Sequence, residues 1–222
     1  EAILSRFEAS KEAIRGGAGP SACRIGANAT VAECFLAPLL SALRAAVPSL
    51  TVSVFIGNSR EIEQRLSENA IDFALLDMVG DAPGCTVQPL FSEAMEAVCA
   101  WDFDCPDALS VPELAERPLL LREKGSGGRS CVDAVLEAHG CAPRLQAEGA
   151  TNLGLLRPDE SGLGIAVLPA ALAARAVERG RLRRVQVTGG VFSRRYFLAF
   201  LTRKYRCLLY TSPSPRDISG SR

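Results

Sequence analysis

Amide and hydroxyl side chains stand where strands are expected to hand over to helices, at Asn28-Ala29-Thr30 and at Asn58-Ser59. That placement suits anion recognition. The first N–H groups of a helix have no partner inside it, and the helix dipole adds about half a positive charge there. A carboxylate, sulfate or phosphate fits such an end. Thr30 and Ser59 have a plainer reading as N-caps, and a cap is free to touch a ligand as well. Other chemistry is thinly supplied. His139 is the only histidine and precedes Gly140 at an expected helix end, where it suits capping better than a metal cluster or a Ser-His-Asp triad. Cysteines 23, 34, 85, 99, 105, 131, 141 and 207 form no C-x-x-C pair and sit in apolar segments such as Glu33-Cys34-Phe35-Leu36. They are read as buried free thiols of a reducing compartment. Asp72, Asp77 and Asp81 lie near strand or turn ends with no visible carboxylate pairing. Gly125-Ser126-Gly127-Gly128 lacks the Gly-Lys-Ser/Thr of a phosphate-binding P-loop. Gly162-Leu163-Gly164 precedes a strand instead of following one, so it reads as helix termination and close packing. No catalytic set, metal or cofactor is expected. Arg179, Arg181, Arg183, Arg184, Arg194, Arg195, Arg203 and Lys204 read as a solvated basic surface.

The elements that position these groups follow from periodicity. The chain has 222 residues, 48% hydrophobic and 23% charged, with 25 basic and 25 acidic side chains. A net charge of zero argues against an extended nucleic-acid surface, which needs cations to displace counterions. No apolar run approaches the ~20 residues of a membrane span. Residues 1–15 are amphipathic, with Ile3, Leu4, Phe7 and Ile14 at helical spacing, and lack the pattern of a secretory signal. A strand at 22–26, a helix at 30–46, a strand at 50–56, a helix from Ser59 to Leu66 and an apolar strand at 71–76 then alternate. Alternation of this kind means right-handed βαβ units and a parallel sheet. Two strands follow at 86–90 and 96–101, then a helix at 111–115 capped by Ser110, a strand at 119–121 and a helix at 129–139. A strand at 144–147, a helix at 152–160 kinked by Pro158, a strand at 164–168, a helix with Pro169 as its first residue and a strand at 196–202 complete the set. The run from Cys207, rich in Pro and Ser, follows no earlier pattern, and 207–222 is expected to be a non-native tail.

Four segments in order resemble the effector-binding domain of LysR-type transcriptional regulators. They are Arg24-Ile25-Gly26-Ala27-Asn28-Ala29-Thr30, Val52-Ser53-Val54-Phe55-Ile56-Gly57-Asn58-Ser59, Leu66-Ser67-Glu68-Asn69-Ala70-Ile71-Asp72-Phe73-Ala74-Leu75 and Ser161-Gly162-Leu163-Gly164-Ile165-Ala166-Val167-Leu168-Pro169. The resemblance implies the α/β fold of type-2 periplasmic binding proteins: two Rossmann-like lobes with mixed, mostly parallel sheets, joined by two crossover strands. Lobe I would take 22–98 and 196–206, lobe II 99–195, and residues 1–19 would end the linker helix and its linker. It further implies a ligand-sensing, non-enzymatic domain that binds a small anionic metabolite between the lobes. The homodimer or homotetramer would use helices at 30–46 and 61–66. The chain would be cytoplasmic, away from membranes, and would reach DNA only through a helix-turn-helix upstream. By the same resemblance Asn28, Ala29 and Thr30 hold the primary effector-contact position, and lobe II adds Ser126 and the Thr151-Asn152 turn. Arg129 is the charge best suited to grip a carboxylate bidentately, although a lone arginine at a helix start is more often simply solvated. The openings at Gly26 and Phe55 look most like the branch controlling sulfur assimilation or carbon fixation. The alternative is a solute receptor of a transporter, which shares the fold and would carry a secretion signal upstream. An enzyme on the same scaffold would need a convergent catalytic set.

Overall fold

β1 (Ala22–Asn28) is the strand on which the first unit is built. A computed structural model describes residues 22–80 and 83–203. The chain forms two units. Among the described residues the first takes 22–28, 35–80, 83–90 and 197–203, and the second takes Ala29–Cys34 and Phe91–Tyr196.

In the first unit β1 pairs in parallel with β2 (Thr51–Gly57) and β3 (Phe73–Leu76), and β10 (Ser193–Leu201) adds to β3 antiparallel through residues 197–199. Asp72 ties β1 to the approach of β3, accepting from the Arg24 amide at 2.7 Å and from its guanidinium at 2.9 Å. Ile62, Leu66, Ile71, Ala74, Leu76 and Ala199 form the core. Gly26 matters here, because a Cβ at this position would lie 2.8 Å from Ile62 Cγ2. Its absence lets the helix carrying Ile62 sit directly on the sheet.

The second unit has a sheet in the order β4-β8-β6-β7. β4 (Cys85–Ala100) is antiparallel to β8 (Ile165–Pro169), while β6 (Leu119–Arg122) is parallel to both β8 and β7 (Leu145–Gly149). β9 (Leu182–Thr188) adds antiparallel to β4 and takes β5 (Ala108–Ser110) in parallel. A core of Val111, Leu114, Leu119, Leu121, Val132, Leu136, Ile165 and Val167 fills one part, and Leu120, Leu155, Ala166, Leu168 and Ala173 fill another.

Several expectations are corrected. The single helix at 30–46 is two helices, α1 (Ala29–Cys34) and α2 (Leu36–Ala46), broken at Phe35 with φ −127° and ψ −17°. Pro38 explains the break. In one continuous helix its ring would meet the Cys34 carbonyl, whereas a restart at Leu36 puts it in the first turn, where no donor is needed. Asn58, not Ser59, caps α3 (Ser59–Ser67), in a reciprocal box with Glu61. The two strands placed at 86–90 and 96–101 are one strand, β4. The chain passes between the units at 28/29, 34/35, 90/91 and 196/197, where two passages were expected, at 98/99 and 195/196; alternation runs through β4 without a mark at 90/91. Strands β5 and β9 were not anticipated. Pro169 is the N-cap of α7 (Ala170–Glu178), one residue before its expected place.

The other helices are α4 (Val111–Glu116), capped by Ser110 as expected, α5 (Gly127–Ala138), ending at His139, and α6 (Asn152–Glu160). α6 runs unbroken through Pro158, and its buried face carries Asn152, Leu155 and Asp159. His139 Nδ1 lies 2.9 Å from the Val135 carbonyl, within its own helix end. None of the seven described cysteines is in a disulfide, and burial pushes the Cys34 and Cys99 thiols up to about 12. The linker helix expected at 1–15 and the tail at 207–222 lie outside the described residues.

Candidate functional site

Three leucines of β6, all buried, fix where Arg122 stands, at the end of the strand. Ser126 caps α5 three residues before Arg129, accepting the Arg129 amide at 3.2 Å. At Gly128, in the first turn, a Cβ would meet Met95 Cε at 3.5 Å and Arg122 Cγ and Arg194 Nη1 at 3.8 Å, ordinary contact distances. Thr151 caps α6, accepting the Gly154 amide at 3.0 Å. These strand ends and helix starts gather polar side chains around Thr30 of α1.

Thr30 Oγ1 accepts from Arg122 Nη1 at 3.2 Å, from Asn152 Nδ2 at 3.3 Å and from Arg194 Nη1 at 3.4 Å. A hydroxyl oxygen has two lone pairs, so three donors at these distances share it loosely. All four residues are buried, Thr30 at 1% exposed, Asn152 at 0%, Arg194 at 4% and Arg122 at 6%. Buried cations require counter-charges. Glu123 holds Arg122 in a two-point pair at 2.8 and 3.0 Å. Glu93 faces Arg194 at 3.4 Å, accepts the Tyr196 hydroxyl at 2.5 Å and accepts the Ala171 amide at 3.1 Å. Burial is the main cause that pushes the Tyr196 phenol up, and its hydrogen bond to Glu93 adds to it against the opposing effect of Arg194. Phe91 stacks on Tyr196 at 4.7 Å between ring centroids. On the other side of Thr30, Glu33 accepts from Asn152 Nδ2 at 2.7 Å and from the Asn152 and Leu153 amides, each at 3.3 Å. The Oδ1 atom of Asn152 has no hydrogen-bond partner.

The expected residues divide unevenly. Ala29, Thr30, Ser126, Arg129, Thr151 and Asn152 belong to the second unit, and Asn28, Asn58 and Ser59 to the first. Thr30 and Asn152 meet directly. Ser126 and Thr151 act as caps. Arg129 is neither solvated nor available: it is 4% exposed and engaged by Asp133 at 2.8 Å, Glu148 at 3.2 Å and the Arg122 carbonyl at 3.3 Å. Asn28 donates to Asp77, both buried. The α3 N-terminus, the second anion candidate, is filled by Glu61 of its own capping box.

Arg122, Arg194, Glu93, Glu33 and Tyr196 were missed. Arg194 was read as surface, yet strand alternation carries the signal: exposed Ser193 and Arg195 flank it, and it shares a face with Tyr196. Arg122 stands directly after three consecutive apolar residues, which is itself a mark of a charge carried into the interior. Among the described residues no His, Cys, Asp and Glu cluster could hold a metal, and no helix is long and apolar enough to cross a membrane.

Comparison with known proteins agrees with this architecture. A family model described as LysR substrate binding domain matches residues 16–208. The regulator CysL of Bacillus subtilis is 29% identical over 147 residues, covering 65% of this chain and 49% of CysL. The regulator CbbR of Rhodospirillum rubrum is 26% identical over 204 residues, covering 92% of this chain and 67% of CbbR. The chain therefore spans about half to two thirds of the length of these relatives. The regulatory domain of Synechocystis CcmR, solved in complex with 2-PG, superposes with a TM-score of 0.72 at 21% identity, over 86% of this chain and 95% of that one. At that identity the likeness is one of fold.

Proposed function

This chain belongs to the LysR substrate-binding domain family, and on that footing we propose that its second unit senses a small anionic metabolite for a LysR-type transcriptional regulator. The observation that carries this is the convergence of two buried guanidiniums and a buried amide on one threonine hydroxyl. An anionic oxygen beside that hydroxyl would take its proton as a hydrogen bond and would receive charge-assisted bonds from the guanidiniums, which are shorter and roughly twice as strong as neutral ones. That the CcmR regulatory domain was solved in complex with 2-PG supports a ligand-binding role for a domain of this fold. Binding biases the conformation of the chain by the ligand's differential affinity for two states, and that bias is what a DNA-binding partner domain reads. Dimerisation, DNA contact through a separate head and a cytoplasmic location belong to this same proposal. So does the absence of catalysis: the polar groups around Thr30 are arranged to hold charge, with no activated nucleophile among them.

Thermal unfolding against a panel of anions tests this. The panel comprises inorganic phosphate, sulfate, acetylserine, phosphorylated two- and three-carbon acids and aromatic carboxylates. An effector at a hundred times its dissociation constant adds about 2.7 kcal/mol to stability. The stabilisation should disappear in Thr30→Val and survive in Thr30→Ser, which keeps the hydroxyl. A hit whose effect persists in Thr30→Val would place the ligand elsewhere, and a panel without hits would count against an anionic effector.

A further inference from the structure

We propose that Glu33 is a built-in competitor for the anion site: its carboxylate occupies the N-terminus of α6, and the effector's anionic group must displace it. The inference rests on the sensing role proposed above and concerns how the site is regulated.

Three observations carry it. First, Glu33 accepts the first two amides of α6 and the Asn152 side chain, which is the set of donors a bound anion would take at a helix start. α6 has nine residues, long enough for its terminus to carry the dipole's partial charge. Second, the fit is loose. Both amide contacts are 3.3 Å, beyond the usual N–H···O range of 2.7–3.2 Å, and only the Asn152 side chain is close. Third, Asn152 is fully buried beside Thr30 and Glu33, yet its Oδ1 has no donor. A carboxylate cannot supply one. A ligand bearing a hydroxyl, an ammonium or a P–OH group next to its anionic oxygens can, so the site is better matched by such a molecule than by Glu33.

Charge balance points the same way. Around Thr30, Arg122 pairs with Glu123 and Arg194 with Glu93, and the Glu33 carboxylate lies on Asn152 beside them. A further anion added to this set meets net repulsion unless a carboxylate leaves. Glu123 and Glu93 are each paired with a guanidinium, whereas the Glu33 contacts in hand are with uncharged amides. Glu33 is therefore the one to go.

The test is calorimetric titration of inorganic phosphate, which offers both anionic oxygens and a P–OH donor, into the wild-type chain, Glu33→Ala and Glu33→Asp. Apparent affinity scales with the fraction of molecules whose site is open. If Glu33 is seated in about nine molecules of ten, Glu33→Ala tightens phosphate binding about tenfold. Glu33→Asp keeps the charge and draws the carboxylate back by one C–C bond, about 1.5 Å, so it should tighten binding as well. Equal affinity in all three proteins, or weaker binding in Glu33→Ala, overturns the competitor role and leaves the anion site standing. Tightening in Glu33→Ala alone overturns it too, since that result reports a charge acting at a distance. Phosphate bound by none of the three overturns both this inference and the sensing role on which it rests.

Discussion

Arg194→Met is expected to destabilise the protein by about 3–5 kcal/mol, the loss usual when one partner of a buried ion pair is removed. Glu93 would be left charged in a place where its side chain is only 10% exposed, with the Tyr196 hydroxyl and the Ala171 amide as its remaining donors. Arg194 also packs its guanidinium over the Tyr196 ring, 5.1 Å from the centroid. For a chain of this size the midpoint of thermal unfolding should fall by roughly 10 °C. Pairing the change with Glu93→Gln removes the uncompensated charge and keeps an acceptor for Tyr196. The double variant should therefore recover part of the loss, with a coupling of roughly 1–3 kcal/mol. Single variants that each cost under about 1 kcal/mol, or a double variant no better than the worse single one, would show that the pair is hydrated and not the buried contact described here.

The second large effect concerns Asp159, on the buried face of α6. Its side chain is fully buried and neither carboxylate oxygen has a hydrogen-bond partner. Burial pushes its pKa up to about 8, and the neighbouring charge of Glu160 adds to this. The Ala166 amide opposes the shift. The sign of the pH effect follows from the proton count. In the fold Asp159 holds its proton up to about pH 8, while in the unfolded chain it releases it near the usual ~4. Its contribution is thus least unfavourable below about pH 4 and becomes increasingly destabilising as pH rises toward 8. The difference corresponds to an upper bound of roughly 5 kcal/mol at pH 8. Asp159→Leu should raise the unfolding midpoint markedly at pH 8 and much less at pH 5, and Asp159→Asn should remove the same pH dependence while retaining the polar group. A wild-type-minus-variant difference that does not change between pH 5 and 8 would contradict a buried, unpartnered carboxyl.

Both sites show what the sequence made legible and what it hid. The βαβ alternation from Ala22 to Leu76 was readable because apolar residues recur at strand and helix periods, and the parallel pairing of β1 with β2 and β3 follows. The break at Phe35 was hidden because leucines continue at helical spacing across it; only Pro38 signalled it, through a clash that depends on where the helix starts. β9 was hidden because Leu182-Arg183-Arg184-Val185 reads as a charged surface. Its arginines are spent on local partners, Arg183 on the Cys105 carbonyl at 2.6 Å and Arg184 on Glu96 at 2.7 Å. Around the proposed site, Thr30 was expected from helix-start chemistry and family resemblance and Asn152 from the resemblance alone, and the two meet. The charges that surround them were not, because composition cannot say which arginines are buried. Arg129 was chosen because its guanidinium can grip a carboxylate, yet Asp133 and Glu148 pair with it. Arg122 and Arg194 instead converge on Thr30, from a strand end and a strand interior that the helix-terminus argument does not reach.

The most direct test of the account is a crystal structure of the protein grown with inorganic phosphate, read for the anion's position. Phosphate is expected within hydrogen-bond distance of Thr30 Oγ1, Arg122 and Arg194, with the α6 amides of Asn152 and Leu153 turned to the anion and Glu33 withdrawn from them. Phosphate found only at the Asn58–Ser59 terminus of the first unit, or a Thr30 cluster that keeps its internal bonds at saturating phosphate, would contradict it.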